Sequence, residues 1–282
     1  MKISIFTDEI SRDAPARAIE LAGQWGVTHV EVRTFPNGRF PAVPDADLER
    51  FTRMLNDAGL TASGVSPGFS KCSWQDPAVD RALAEGLPKA CQWAQRWGTN
   101  LVSCFAFERD DSDDVPPPVI DILGRMAAVT RRCGCTLILE NEAVCWGATG
   151  TEAAQIIRQV GSDSIRLCWD PANASMAGAE NAYPGEYESV KDLVTHVHLK
   201  NVDPRSRTWS LLHEGAVDWP GQLRALAADR YDGFLVIETH LHVSPDAFRV
   251  GDGDMTDQES NTLRNLEFVR AIVTRMGADA DS

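Results

Sequence analysis

Four side chains able to ligate a metal each close a short apolar run. Glu140 ends TLILE (136–140), Asp170 ends IRLCWD (165–170), His198 ends THVH (195–198) and Glu238 ends FLVIE (234–238). Three carboxylates and one imidazole make an oxygen-rich donor set. That set suits a hard or borderline divalent ion, with Mn²⁺, Mg²⁺ or Co²⁺ ahead of Zn²⁺. Singly, each is an ordinary solvated residue at a strand end. Together, in four consecutive runs, they are expected to converge as ligands on one rim of a barrel. His196 competes with His198, because a strand's period of two puts both on one face.

Further polar residues stand close to the same run ends. Glu142 lies two beyond Glu140, Lys200 two beyond His198 and His240 two beyond Glu238, and Glu9 follows the first apolar run. Lys200 reads as a group that reaches a substrate oxygen or stabilises negative charge on it, rather than as a solvated rim lysine. Glu142 reads equally as a substrate group and as a surface acid. His240 is a candidate proton donor and His213 opens a loop that resembles a substrate cover, although a lone histidine is more often structural. Glu9 is a candidate partner for substrate hydroxyls. Trp146, Trp169, Trp209 and Phe107 are candidates for apolar pocket walls, against the ordinary reading of aromatic residues as packing. The acidic stretch 110–114 reads as a solvated loop.

These residues need a scaffold that delivers them to one end. Short apolar runs alternate with longer amphipathic stretches along the chain. Strands are predicted over 3–6, 28–32, 60–65, 100–105, 136–140, 165–170, 195–198 and 234–238. Helices are predicted over 14–25, 45–58, 76–97, 116–133, 149–160, 186–193, 219–228 and 256–276. Gly26, Gly59 and Gly98 stand where helix caps belong. Pro88 is expected to kink or split the third helix, and Ser66-Pro67-Gly68 reads as a turn that closes the third strand. The tail GADADS reads as frayed. Alternating β and α units imply a parallel sheet, and eight of them imply a single (β/α)8 TIM barrel. An open doubly wound sheet would want a glycine-rich phosphate loop after the first strand, where this chain has Thr7-Asp8-Glu9. No linker divides the sequence, so one domain over 1–282 is expected.

The bulk numbers narrow the function classes. The 282 residues carry 27 Lys plus Arg against 41 Asp plus Glu, a net charge of −14. Nucleic acid and anionic membrane surfaces both require a positive footprint, so neither is an expected partner. No run approaches the roughly 20 apolar residues of a membrane span. The opening MKISIFTDEI lacks the apolar core of a signal peptide. Seven cysteines, an odd number without paired CxxC spacing, read as reduced thiols in a cytoplasmic protein.

The ordered pieces LILENE (137–142), CWDPANA (168–174), HVHLKNVD (196–203), HEGAVDW (213–219) and YDGFLVIETH (231–240), with the opening FTDEISRD (6–13), carry a resemblance. Together they resemble the sugar phosphate isomerase/epimerase superfamily, the xylose isomerase-like TIM barrels, over essentially the whole chain. The resemblance implies one divalent metal, often Mn²⁺, held by Glu140, Asp170, His198 and Glu238, and so prefers His198 over His196. It implies a small sugar or polyol substrate and proton abstraction next to a carbonyl through an enediolate. Glu140 and Glu238 then serve as the catalytic carboxylates, with Glu9, Glu142, Asn173, Lys200 and His240 on the substrate. A homo-oligomer is compatible with this reading. With no glycine-rich phosphate cradle, an unphosphorylated substrate is expected.

Two positions depart from the family's pattern. Asn173 stands where many of these isomerases and epimerases carry a His, three residues after the strand-six Asp; Asn hydrogen-bonds but does not carry a proton in catalysis. Where the epimerases have a strand-seven substrate Arg, the chain has Pro204, with Arg205 next. Both departures raise a rival, a lyase of the same fold: an inosose or dehydroshikimate dehydratase, or an enzyme that eliminates from a 3-keto-glycoside. A phosphodiesterase like the endonuclease IV branch would need several zinc ions, more ligands than six histidines suggest, and a basic DNA face. A non-catalytic partner subunit would have no use for the complete ligand set.

Overall fold

Eight parallel strands close into a barrel: β1 (Lys2–Phe6), β2 (His29–Val32), β3 (Thr61–Phe69), β4 (Leu101–Cys104), β5 (Thr136–Glu140), β6 (Ile165–Trp169), β7 (Val194–Leu199) and β8 (Phe234–Ile237). The structure is a computed structural model and describes residues 1–203, 205–240 and 253–280. Each strand pairs with its neighbour in sequence, and β8 returns to β1 with Lys2 opposite Phe234 and Ile5 opposite Ile237. The strands are rich in Val, Ile and Leu because parallel barrel strands are buried on both faces, by helices outside and by packed side chains within. Helices separate the strands in sequence, so the chain adopts the expected TIM barrel. No helix among the described residues is long and apolar enough to cross a membrane.

Local departures from the sequence pattern have physical reasons. Ser66-Pro67-Gly68, expected as a turn, continues β3 to Phe69. Pairing with β4 passes from Val65–Val102 directly to Phe69–Cys104. Pro67, which has no N–H to donate, therefore sits where the ladder is open. The helix expected over 76–97 starts at Ala78 and ends at Arg96, and Pro88 does not break it. One wide, π-type turn (Ala82–Gly86) precedes it and leaves Pro88 in the first turn of Leu87–Arg96, where a missing N–H matters least. A kinked stretch, Ala182–Glu186, with Tyr183 extended at φ −135° and ψ 132°, leads into the short helix Tyr187–Val190, in place of a regular helix over 186–193. The closing helix spans Asp257–Ala280, past the expected end at 276, while residues 281–282 of the expected tail lie outside the described residues.

Three short elements were not announced by periodicity. A single helical turn, Thr7–Ile10, follows β1 directly. The stretch after β2 forms a hairpin of Thr34–Phe35 with Gly38–Arg39, and the stretch after β7 forms one of Asn201–Asp203 with Thr208–Ser210. Pro204, which falls within the second, lies outside the described residues.

Trp169 is a correction: it is packing, not a pocket wall. Its side chain is fully buried, and Nε1 donates to Gln222 Oε1 at 3.0 Å. A Cβ at Gly150 would come within 2.8 Å of the Trp169 ring and 3.1 Å of Val190. Glycine at the start of the Gly150–Val160 helix is what lets that helix seat on β6. Gly150→Ala should therefore lower stability by about 1 to 3 kcal/mol through overpacking. The check is a urea denaturation midpoint that falls at constant m-value; an unchanged midpoint would show that the ring has room to give.

Candidate metal and substrate site

Glu140, Asp170, His198 and Glu238 are buried together at the barrel end, with one ligand atom of each within 4.8 Å of the others. His198 Nδ1 is 3.2 Å from Glu140 Oε1 and 3.6 Å from Glu238 Oε2. Asp170 caps the helix Pro171–Met176: its Oδ1 accepts from the Asn173 N–H at 2.9 Å. Its Oδ2 lies 2.9 Å from Lys200 Nζ, which is also 3.2 Å from Glu238 Oε2. Asn141 fixes the Asp170 backbone from both sides. Its Oδ1 accepts from the Asp170 N–H at 2.8 Å, and its Nδ2 donates to the Asp170 carbonyl at 2.7 Å.

The chemistry of this set fits a divalent cation. His198 Nδ1 and Asp170 Oδ2 are buried without a well-aligned hydrogen-bond partner. Burial pushes Asp170 up to about 6; Lys200 opposes that, and repulsion from Glu140 and Glu238 adds to it. Six buried carboxylates (Asp8, Glu9, Glu31, Glu140, Asp170 and Glu238) face only two buried permanent cations here, Arg33 and Lys200. A bound dication would offset that excess, giving His198 Nδ1 a partner and Asp170 Oδ2 one besides Lys200.

His198 is oriented from behind by Glu31 of β2. Glu31 Oε2 accepts from His196 Nε2 at 2.6 Å, and Oε1 accepts from His198 Nε2 at 3.2 Å. Ser66 Oγ donates to Oε1 at 2.7 Å and itself accepts from Ser103 Oγ at 3.0 Å. Burial works to keep Glu31 protonated, but His196 and His198 outweigh it and hold Glu31 far below the usual carboxylate range. Glu31 takes the Nε2 side of the His198 ring, so Nδ1 is turned toward the carboxylate cluster. His196 is held by Glu31 and does not join the four.

Arg33 organises the other side. Its Nε is 2.9 Å from Asp8 Oδ2, its Nη2 2.6 Å from Glu9 Oε1, and its Nη1 binds Glu238 Oε1. His240 Nδ1 is 3.0 Å from the same Glu238 oxygen. Above the cluster opens a cleft of about 450 Å³.

Of the residues expected on substrate, Glu142, Asn173, Lys200 and His240 line this cleft. Glu142 pairs with Lys71 at 2.6 Å. Asn173 Nδ2 donates to the Asn141 carbonyl at 2.8 Å and to Glu140 Oε1 at 3.3 Å. Glu9 is a correction. It is fully buried, outside the cleft lining, and binds Arg33 and the His240 N–H rather than a substrate hydroxyl. His213 is exposed beside Phe268, away from the cleft, and Arg205 is exposed as well. Trp146 and Phe107 are buried outside the lining, whereas Trp209 lines it with Lys200 Nζ 5.0 Å from its ring centre. The 110–114 stretch is exposed, and the cysteines are all free.

Sequence reasoning missed Asp8, Glu31, Arg33, Arg39 and Lys71. One signal was available. Glu31 interrupts an apolar run between Val30 and Val32, and a carboxylate inside a strand buried on both faces must have a dedicated partner.

A family model described as the xylose isomerase-like TIM barrel matches residues 19–272. No curated protein sequence matches. The solved D-psicose 3-epimerase of Clostridium cellulolyticum H10, with D-tagatose, superposes with a TM-score of 0.74 at 16% identity, covering 96% of this chain and 99% of that one. The probable 3-DHS dehydratase of Bacillus anthracis involved in petrobactin synthesis gives 0.70 at 16% identity, covering 88% and 96%. A xylose isomerase-like TIM barrel protein from Mycobacterium smegmatis, in complex with magnesium, gives 0.67 at 19% identity, covering 92% and 88%. At such identities these likenesses speak to the fold. The family match extends over most of the sequence and coincides with a closed eight-stranded parallel barrel, and the chain belongs to the xylose isomerase-like TIM barrel family.

Proposed function

We propose that the protein is a divalent-metal-dependent isomerase or epimerase that removes a proton next to the carbonyl of a sugar or keto-polyol. The observation that carries this reading is the four-residue donor set, Glu140, Asp170, His198 and Glu238, buried at one point beneath an open polar cleft. Mn²⁺ is the preferred ion; Mg²⁺, Co²⁺ and Zn²⁺ suit the same donors. When bound, such an ion supplies Lewis acidity that draws negative charge onto the substrate's oxygens as an enediolate develops.

The chain's own groups do the rest. Glu140 and Glu238 are the carboxylates placed to take and return the carbon-bound proton. Their surroundings differ. Burial works to raise both, but His198 brings Glu140 down, whereas Lys200, His240 and Arg33 together hold Glu238 well below the usual range. Glu140, steadied by Asn173, is the stronger base of the two. Lys200 brings a positive charge to the cleft beside Glu238 and Asp170. Asp8 lines the cleft with a buried Oδ1 that lacks a hydrogen-bond partner, and it is suited to accept from a substrate hydroxyl.

This inequality favours one second reading, elimination by a single base, as in a dehydratase or a 3-keto-glycoside lyase. Asn173 points the same way because it cannot relay a proton. Incubation with Mn²⁺ and ketoses or keto-inositols in D₂O separates the two. Deuterium uptake without loss of water supports isomerisation, and a new enone absorbance supports elimination. Neither signal from any such substrate would remove the enolisation reading.

Elemental analysis should find about one divalent ion per chain, and chelation should lower the melting temperature. A ligand that binds only the native state stabilises it by about 4 kcal/mol at a thousandfold excess over Kd. A metal-free protein with a chelator-insensitive melt would sink the central claim. Glu140→Gln and Glu238→Gln should each cut turnover by at least about 10³-fold with the fold intact. A loss confined to Glu140→Gln would identify a one-base lyase. Glu31→Gln should weaken metal affinity by about 10- to 100-fold, because a neutral amide no longer anchors both imidazoles as a charged acceptor. Metal titration reads this directly, and an unchanged Kd would show that His198 needs no anchor.

A further inference from the structure

We propose that the substrate of this cleft carries an anionic group, a carboxylate or a phosphate, and that Arg39 is the residue that reads it. The proposal rests on the reaction site above only for where the reacting end of the substrate lies. Five cleft-lining residues are Lys or Arg, in a chain whose acids outnumber its bases by 41 to 27. Three of them already have counter-ions. Arg33 is bound by Asp8, Glu9 and Glu238, Lys200 by Asp170 and Glu238, and Lys71 by Glu142. Arg39 forms no ion pair among the described residues. Its Nη2 donates to the Ser66 carbonyl at 3.0 Å, which uses one of the five N–H groups of a guanidinium. The fifth, Arg12, is exposed on the same lining and adds to the positive rim.

Arg39 is held in place by the fold. It pairs with Thr34 across the hairpin that follows β2, and the next residue, Phe40, returns an N–H to the Arg33 carbonyl at 3.0 Å. Its guanidinium rests on Gly68: a Cβ there would lie 3.0 Å from Cζ, Nε and Nη2, and the Gly68 φ is +76°. The backbone angle favours glycine, and a side chain there would crowd the guanidinium out of its seat. Arg39 is exposed as a whole residue, but desolvation by the cleft walls around its guanidinium, and then the neighbouring Arg33, bring it down to about 10. The carboxylates in its field are Asp8, Glu140 and Glu238, and each is engaged by Arg33, His198 or Lys200. Among the described residues the positive charge of Arg39 thus has no ion-pair partner of its own, and a planar fork of donors is the natural seat for a carboxylate or phosphate. A substrate held at the carboxylate cluster by one end and at Arg39 by the other has one orientation, which fixes the carbon that faces Glu140.

The test is calorimetric binding of three matched polyols to Mn²⁺-saturated protein: sorbitol, gluconate and sorbitol 6-phosphate. At least one anionic probe should bind about tenfold or more tightly than sorbitol. In Arg39→Gln that preference should fall toward one, while Arg39→Lys keeps part of it. The probe that shows the preference distinguishes carboxylate from phosphate. Gluconate can also meet the metal, and the wild-type to Arg39→Gln ratio removes that contribution. The proposal is overturned if neither anion is preferred, or if the preference survives Arg39→Gln in protein with a normal melt. Failure here leaves the metal-dependent exchange reading standing. Conversely, an Arg39-dependent anion preference in a protein that exchanges no proton would overturn the reaction and not this subsite.

Discussion

The arrangement of the site depends on one ionised carboxylate sealed inside the barrel. Burying Glu31 as an anion costs several kcal/mol unless its oxygens are satisfied. Two imidazole N–H groups and the Ser66 hydroxyl meet that demand. The requirement acts on three strands at once. It fixes the ring of His198 on β7, determines where the hydroxyl of β3 must point, and leaves no room for a side chain at Gly64, where a Cβ would come 3.2 Å from Glu31 Oε2. The same demand explains why β3 stays extended through Ser66-Pro67-Gly68. A turn there would take the hydroxyl away from the carboxylate.

Around that anchor the charges are arranged in two tiers. Lys200 stands between Asp170 and Glu238, and Arg33 stands between Glu238 and the pair Asp8 and Glu9. Glu238 is shared by both tiers. Glu140 has His198 at 3.2 Å and an Asn173 amide at 3.3 Å, with Lys200 farther off at 4.0 Å. Two carboxylates at equivalent strand ends thereby acquire unequal basicity from their neighbours alone.

The strand ends were legible because each candidate ligand there terminates an apolar run. A stop in hydrophobic pattern and a ligand type coincide at Glu140, Asp170, His198 and Glu238. Glu31, Arg33 and Arg39 carry no such mark. HVEVR reads as an ordinary strand until the barrel closes and sets β2 across from β7. Glu9 stands after β1 as read, and the single helical turn there buries it against Arg33 and the His240 N–H. Pro67 and Pro88 were read as breaks because proline usually is one; an open ladder position and a wide helical turn absorb them here.

The hairpin after β2 joins two arginines of the cleft in one short element. Arg33, at its base, sets the charge felt by Glu238, and Arg39, on its returning strand, faces the cleft. The four metal-ligand candidates lie from residue 140 onward, so a change in the strands before them reaches them through individual side chains such as Glu31 and Arg33. An insertion or deletion in this hairpin is different, because it would move both arginines together. A change in the length of this one hairpin would therefore alter the charge beside Glu238 and the placement of Arg39 in a single step.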